Sequence, residues 1–243
     1  MTLQKYLLEE FAALPDPYCA AGIITKHGKI YPLGSDTKVL STIFELISRP
    51  VIYRVAEKLG LNVVEPTVQN HYPDFTLLKD AKDTKKIAVD VKTTYRDDPQ
   101  SRFNYTLGGY TSFIRKGNEG KNIVYPFPQY LEHWVIGFVY ERVATKKAAA
   151  EHVFEKNDLD KIPLPFKNVE MFVQEKWRIA SDRAGSGNTT NIGSIDGTIK
   201  EFSDGKPLFN DEDEFLAYWR GYGKTAAERD YSNIHQFRAI KKK

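Results

Sequence analysis

Apolar residues at Val39, Leu40, Ile43, Phe44 and Ile47 recur at steps of three and four, the spacing that lines one face of a helix. Ser35 or Asp36 offers a capping oxygen ahead of this stripe. Pro50 has no N–H to give and disfavours the helical conformation before it, so the helix is expected to end at Arg49. Lys38, Ser41 and Glu45 fall together on the opposite stripe, away from the core. The period then drops to two: alternating and β-branched residues predict strands over 75–79 and 86–94, with further strand-like runs over 123–125, 135–140 and 169–180. A helical pattern returns over 210–219, where Asp211, Glu212, Asp213 and Glu214 occupy the first turn and suit the positive end of the helix dipole. The mixture predicts an α/β (α+β) fold, a central mixed β-sheet flanked by helices. No repeat and no Pro-rich or Gly/Ser linker interrupts it, so residues 1–243 read as a single domain.

Composition narrows the class without naming a function. With 41% apolar and 28% charged residues, the chain is an ordinary globular one. Its longest apolar run, 134–140, is far short of the ~20 residues that span a bilayer. The first eleven residues carry Glu9 and Glu10 where a secretory leader would be basic and then apolar. A cytoplasmic protein without a membrane segment is the expectation. A single cysteine, Cys19, rules out an internal disulfide and a Cys-rich zinc site. The net charge of +3 identifies no partner by itself, but over residues 220–243 seven Lys or Arg stand against two acids. Such a tail suits a phosphate-rich ligand, and equally a solvated, frayed terminus.

The two strands around Asp74 and Asp90 are joined by a polar stretch, Asp80-Ala81-Lys82-Asp83-Thr84, suited to a hairpin turn. A turn centred on residue 82 sets Asp74 opposite Asp90, roughly 5 Å apart at Cβ. Alternation then gives Phe75, Leu77, Ile87, Val89 and Val91 one face, the core, and Asp74, Thr76, Ala88, Asp90 and Lys92 the other, the chemical one. Two adjacent carboxylates repel unless a cation or a proton sits between them. Oxygen ligands without Cys or His favour a hard ion, Mg²⁺ or Mn²⁺. Such an ion beside a lysine is equipment for phosphodiester hydrolysis. An exposed sheet face with Lys92 as a plain ion-pair partner accounts for the same spacing, and Glu45 is equally accounted for by a wet helix stripe. The five histidines show neither ligand spacing nor a Ser or Cys nucleophile partner and read as structural. No G-x-x-x-x-G-K-[ST] loop is present to cradle a nucleotide.

Pro73-Asp74 followed by Asp90-Val91-Lys92 resembles the PD…(D/E)xK nuclease motif. The runs GKIYPLGSDTKVL from Gly28, QNHYPDF from Gln69 and AGSGNTTNIG from Ala184 narrow the likeness to the EcoRV type of type II restriction endonuclease, in blocks between Gly22 and Trp219. The resemblance implies the restriction-endonuclease-like fold, a U-shaped homodimer on double-stranded DNA, blunt cleavage at GATATC and a Mg²⁺ cofactor for which Mn²⁺ substitutes. A cognate DNA methyltransferase is its implied functional counterpart. It also implies that Asp74 and Asp90 ligate the metal, that Lys92 assists the attacking water or the transition state, and that Glu45 is an accessory active-site or metal carboxylate. Gln69 and Asn70 match a loop that approaches the minor groove. Gly185, Ser186, Gly187, Asn188, Thr189, Thr190 and Asn191 match the loop that reads the major groove. The chemistry of that loop agrees: glycines bare the backbone, Asn188 can pair bidentately with adenine, and the Thr189 methyl can touch that of thymine. Lys38, Ser41, Thr94 and Ser112 are candidate phosphate contacts by chemistry and position.

The likeness lapses over 96–106, 141–166 and from Lys224 onward, and Arg183 stands where a hydrophobic residue is expected. Two other readings accompany it. A repair or mismatch nuclease on the same core is opposed by the short specific loop. A DNA-binding protein that no longer cuts is opposed by the joint presence of Asp74, Asp90 and Lys92.

Overall fold

The computed structural model describes residues 2–16, 18–68, 70–143, 152–185 and 190–242. Helix α1 (Leu3–Ala12) is capped by Thr2, whose hydroxyl accepts from the Lys5 N–H. A short antiparallel hairpin follows, β1 (Gly22–Ile24) with β2 (Ile30–Pro32), and then the long helix α2 (Thr37–Lys58). Asp36 is the N-cap, its carboxylate accepting from the N–H groups of Lys38 and Val39 at 3.0 and 3.2 Å. The helix does not stop at Pro50. Leu46, whose carbonyl loses the Pro50 N–H, lies on the exposed side with Pro50 itself. Beyond them Val51, Ile52, Val55 and Ala56 are buried, and burying four apolar side chains outweighs one missing bond. Val39, expected in the apolar stripe, is 38% exposed, while Leu40 and Phe44 carry the contact.

The central sheet has five strands in the order β3 (Asn62–Val64), β4 (Phe75–Leu78), β5 (Lys86–Tyr95), β7 (Tyr130–Arg142), β8 (Phe166–Glu175). It is mixed: β5 runs parallel to β7 and the other neighbours are antiparallel. The crossover between β5 and β7 contains β6 (Thr106–Gly109) and a single π-helical turn, Tyr110–Ile114. After β8 the chain turns through the four-residue helix α3 (Lys176–Ile179) into β9 (Ala180–Ala184) and β10 (Asn191–Ser194). With β6 these form a second sheet in the order β6-β10-β9. The continuous strand expected over 169–180 is therefore broken at Lys176. The run 123–125 is not a strand but a single bridge, Ile123 to Tyr72.

Helices α4 (Ile199–Asp204), α5 (Glu212–Gly221) and α6 (Ile234–Lys241) complete the fold. Asp211 is the cap of α5 and not part of its first turn, accepting from the Glu214 N–H at 2.8 Å. The basic C-terminal stretch is not frayed: Ile234 and Phe237 are buried, and Arg238 holds Glu214 through Nε and Nη2.

Both faces of the central sheet are covered. Helices α1 and α2 pack Leu7, Phe11, Phe44 and Val55 onto Phe75, Val89 and Phe138. The opposite face, expected to be chemical alone, carries an aromatic core that includes Tyr72, Tyr105, Phe113, Phe172, Phe202 and Trp219. Ala88 and Thr76 are fully buried beneath it, and the hydroxyls of Thr76 and Tyr130 bond at 2.9 Å.

Candidate active site

The hairpin register is the one that the turn predicts: Phe75 pairs with Val89, Thr76 with Ala88 and Leu77 with Ile87. One step further in the same register, Asp74 stands opposite Asp90. The Asp74 carboxylate accepts from the Val91 N–H at 2.7 Å. Lys92, two residues past Asp90 on the same side of the strand, brings Nζ to 2.6 Å from Asp90 Oδ2 and 3.8 Å from Asp74 Oδ2, and donates to the Val91 carbonyl at 3.2 Å. Asp90 is 3% exposed, and its Oδ2 has no properly directed hydrogen bond among the described residues. The Lys92 ammonium is the close cationic partner of this buried oxygen.

Electrostatics splits the two acids. Burial and then the Asp90 charge push Asp74 up to about 7, against the pull of Lys92 and the Val91 N–H. Burial would raise Asp90 too, but the Lys92 and Lys176 charges outweigh it and hold its carboxyl below the usual range. Burial works against the Lys92 charge as well, yet Asp90 and Asp74 overcome it and keep the ammonium well above the usual lysine range. The trio therefore combines an ionised Asp90, an Asp74 that holds its proton far more readily than an ordinary aspartate, and a charged Lys92.

A cleft of about 900 Å³ opens over these three residues. Its walls also include Lys38, Ser41, Glu45, Asn70, Ser112, Thr190 and Asn191, so ten sequence-predicted residues, from four separate segments, meet in one place. Lys38, Ser41 and Glu45 arrive as one stripe of α2, and the hydroxyls of Ser41 and Thr93, 2.6 Å apart, tie that helix to β5. Glu45 lines the same cleft and its charge acts on Lys92, but among the described residues no three His, Cys, Asp or Glu side chains gather closely enough to share an ion. Asn70 adopts φ 76°, a left-handed conformation that asparagine tolerates better than most residues. Thr94 shares the face of Asp90 and Lys92 but does not line the cleft, and neither does Gly185. Gly185 instead closes the base of its loop by donating its N–H to the Asn191 carbonyl at 2.7 Å. Gln69, Ser186, Gly187, Asn188 and Thr189 lie outside the described residues.

Sequence reasoning passed over His71, Tyr72, Gly108, Gly109, Phe113 and Asn122, which also line the cleft. The Gly108-Gly109 pair was the available signal, since paired glycines mark close backbone approach. His71, read as structural, is a cleft residue. His133 is structural: buried, it shares a 2.6 Å hydrogen bond through Nδ1 with the Tyr72 hydroxyl, and burial followed by the Lys176 charge draws it down to about 3.

The family model described as restriction endonuclease EcoRV matches residues 16–242, running through the stretches where the resemblance lapses. The type II restriction enzyme EcoRV of Escherichia coli is 55% identical over 240 residues, covering 98% of this chain and 97% of that one. Among solved structures, the NlaIV restriction endonuclease aligns with 99% of this chain and 89% of its own, at 14% identity and a TM-score of 0.45.

Proposed function

The chain belongs to the EcoRV family of restriction endonucleases, and from that premise we propose that it cuts double-stranded DNA at GATATC, to blunt ends, as a Mg²⁺-dependent homodimer. It is a type II restriction endonuclease, a hydrolase that cleaves DNA at specific sites. The observation that carries the site assignment is the buried pair Asp74 and Asp90 with Lys92 2.6 Å from Asp90, on the floor of a cleft walled by polar side chains.

The donor set fits a small hard cation: two neighbouring carboxylates, one of them buried, with no sulfur on the cleft wall, although the His71 imidazole also lines it. Asp74 and Asp90 would hold Mg²⁺, with Glu45 as the accessory carboxylate on the α2 wall. When bound, Mg²⁺ polarises the phosphoryl oxygen and makes water a better nucleophile near neutral pH. Lys92, drawn from Asp90 toward the phosphate, orients the water or stabilises the charge that builds up in line. Lys38, Ser41 and Ser112 on the cleft wall and Thr94 just beyond it meet backbone phosphates, which fix register without reading sequence. Gln69 and Asn70 approach the minor groove, and the loop from Gly185 through Ser186, Gly187, Asn188, Thr189, Thr190 and Asn191 reads the major groove.

A palindrome calls for two copies related by a two-fold axis. The β1–β2 hairpin presents Ile23, Ile24 and Tyr31 to solvent at 58, 61 and 52% exposure, and Ile30 bridges it to Phe154, next to the exposed Val153. An apolar patch of this kind favours a second copy as its cover. Among the described residues no helix is long and apolar enough to cross a membrane. We place the protein in the cytoplasm, paired with a methyltransferase that marks the host's own sites. The deciding experiment is digestion of a plasmid of known sequence with Mg²⁺, followed by mapping of the ends. Blunt ends at the centre of GATATC are expected; reproducible ends elsewhere would overturn the assigned site.

A further inference from the structure

Lys176, at the start of α3, is only 2% exposed. Its Nζ has no hydrogen-bond partner among the described residues and stands 4.4 Å from the centre of the Tyr72 ring and 5.5 Å from that of Phe113. Tyr72, Phe113 and Gly108 are cleft-lining residues, and a Cβ built on Gly108 would lie 3.7 Å from Lys176 Nζ. The ammonium is therefore one layer behind the cleft wall, out of the substrate's reach.

A group so placed is unfavourable unless other charges offset the loss of water. A methionine would fill the same space among the aromatic rings, so packing alone gives no reason for a charge. Burial draws Lys176 down to about 8, which leaves it charged at neutral pH, and the strongest charge acting on it is Asp90, followed by Lys92 and Asp74. His133, the other titratable ring in this layer, is neutral and cannot stand in for it.

We propose that Lys176 is a positioning residue whose fixed positive charge balances Asp90 and Asp74 from behind the cleft, so that the Lys92 ammonium is free to leave them and meet the phosphate. Without Lys176, only Lys92 and the bound metal ion would answer the two carboxylates, so movement of Lys92 toward DNA would leave the ion alone to balance them. The inference rests on the roles assigned above to Asp74, Asp90 and Lys92.

The test is Lys176→Met, titrated calorimetrically with Ca²⁺ alone in the absence of DNA and then assayed for cleavage with Mg²⁺. Loss of one nearby positive charge is expected to tighten Ca²⁺ binding about tenfold, because the cation no longer meets that repulsion. The kcat is expected to fall, also about tenfold, with KM for DNA unchanged, since the interaction removed acts on the transition state and not on the binding surface. A merely structural lysine would lower Tm and leave Ca²⁺ affinity alone. A folded Lys176→Met protein with wild-type Ca²⁺ affinity or wild-type kcat overturns the proposal. Should that variant fold poorly, Lys176→Gln gives the same two readings. Asp90→Ala keeps the two levels apart: if it binds Ca²⁺ as tightly as wild type, the metal-site assignment itself falls; if it binds more weakly, and Lys176→Met matches wild type, only the role of Lys176 falls.

Discussion

Asp74 and Asp90 face each other across a hairpin, and their unequal titration makes the site sensitive to protons. Asp74 is raised from the ordinary aspartate value near ~4 to about 7, so the folded protein binds its proton more tightly than the unfolded chain does. The stability this contributes is fully present below the ordinary value and is lost as pH rises through about 7. In EDTA, the Tm of wild type relative to Asp74→Asn is expected to fall between pH ~4 and 7 and level off above. A flat difference would show that Asp74 titrates normally. Asp90→Ala is expected to abolish cleavage while DNA binding in Ca²⁺ remains measurable, because it removes a ligand and not the binding surface; Lys92→Ala should do the same with a folded protein. Normal turnover by either variant would sink the assignment. These residues are legible in the sequence because a hairpin's register follows from its turn by arithmetic. Lys176 is not, since Glu175 and Trp177 on either side give no hint that the position is buried; that depends on Tyr72, a hundred residues away.

At the scale of elements, the rules that failed were local rules overruled by burial. Pro50 ends a helix when nothing follows, but here the buried stripe continues for two more turns. Strand 169–180 breaks at Lys176 because the next segment joins a different sheet. The alternation over 135–140 marked a strand correctly but missed why Gly137 belongs in it. Gly137 sits opposite Phe172, and a Cβ there would come within 2.2 Å of that buried ring. Gly137→Ala is thus expected to destabilise the fold by about 1–3 kcal/mol through overpacking, read as a lower denaturation midpoint at unchanged m. An unchanged midpoint would mean that Phe172 has room to turn aside. The C-terminal helix was illegible for the opposite reason, its abundant charge masking Ile234 and Phe237.

For the whole molecule, the expected assembly is a dimer covering the β1–β2 hairpin. Sedimentation at micromolar concentration should give twice the chain mass, and Ile24→Asp, which puts a charge on the apolar patch, should shift it toward monomer with a matching loss of cleavage. A fully active wild-type monomer would refute this. The cleft itself draws on residues 38–45, 70–92, 108–122 and 190–191. The ribosome delivers these in order, from the N-terminus onward. The acid pair and its lysine emerge early, on one hairpin, whereas Thr190 and Asn191 follow only when nearly four-fifths of the 243 residues have been made. An unfinished chain therefore lacks the last wall of the cleft, so the complete cleft exists only late in synthesis.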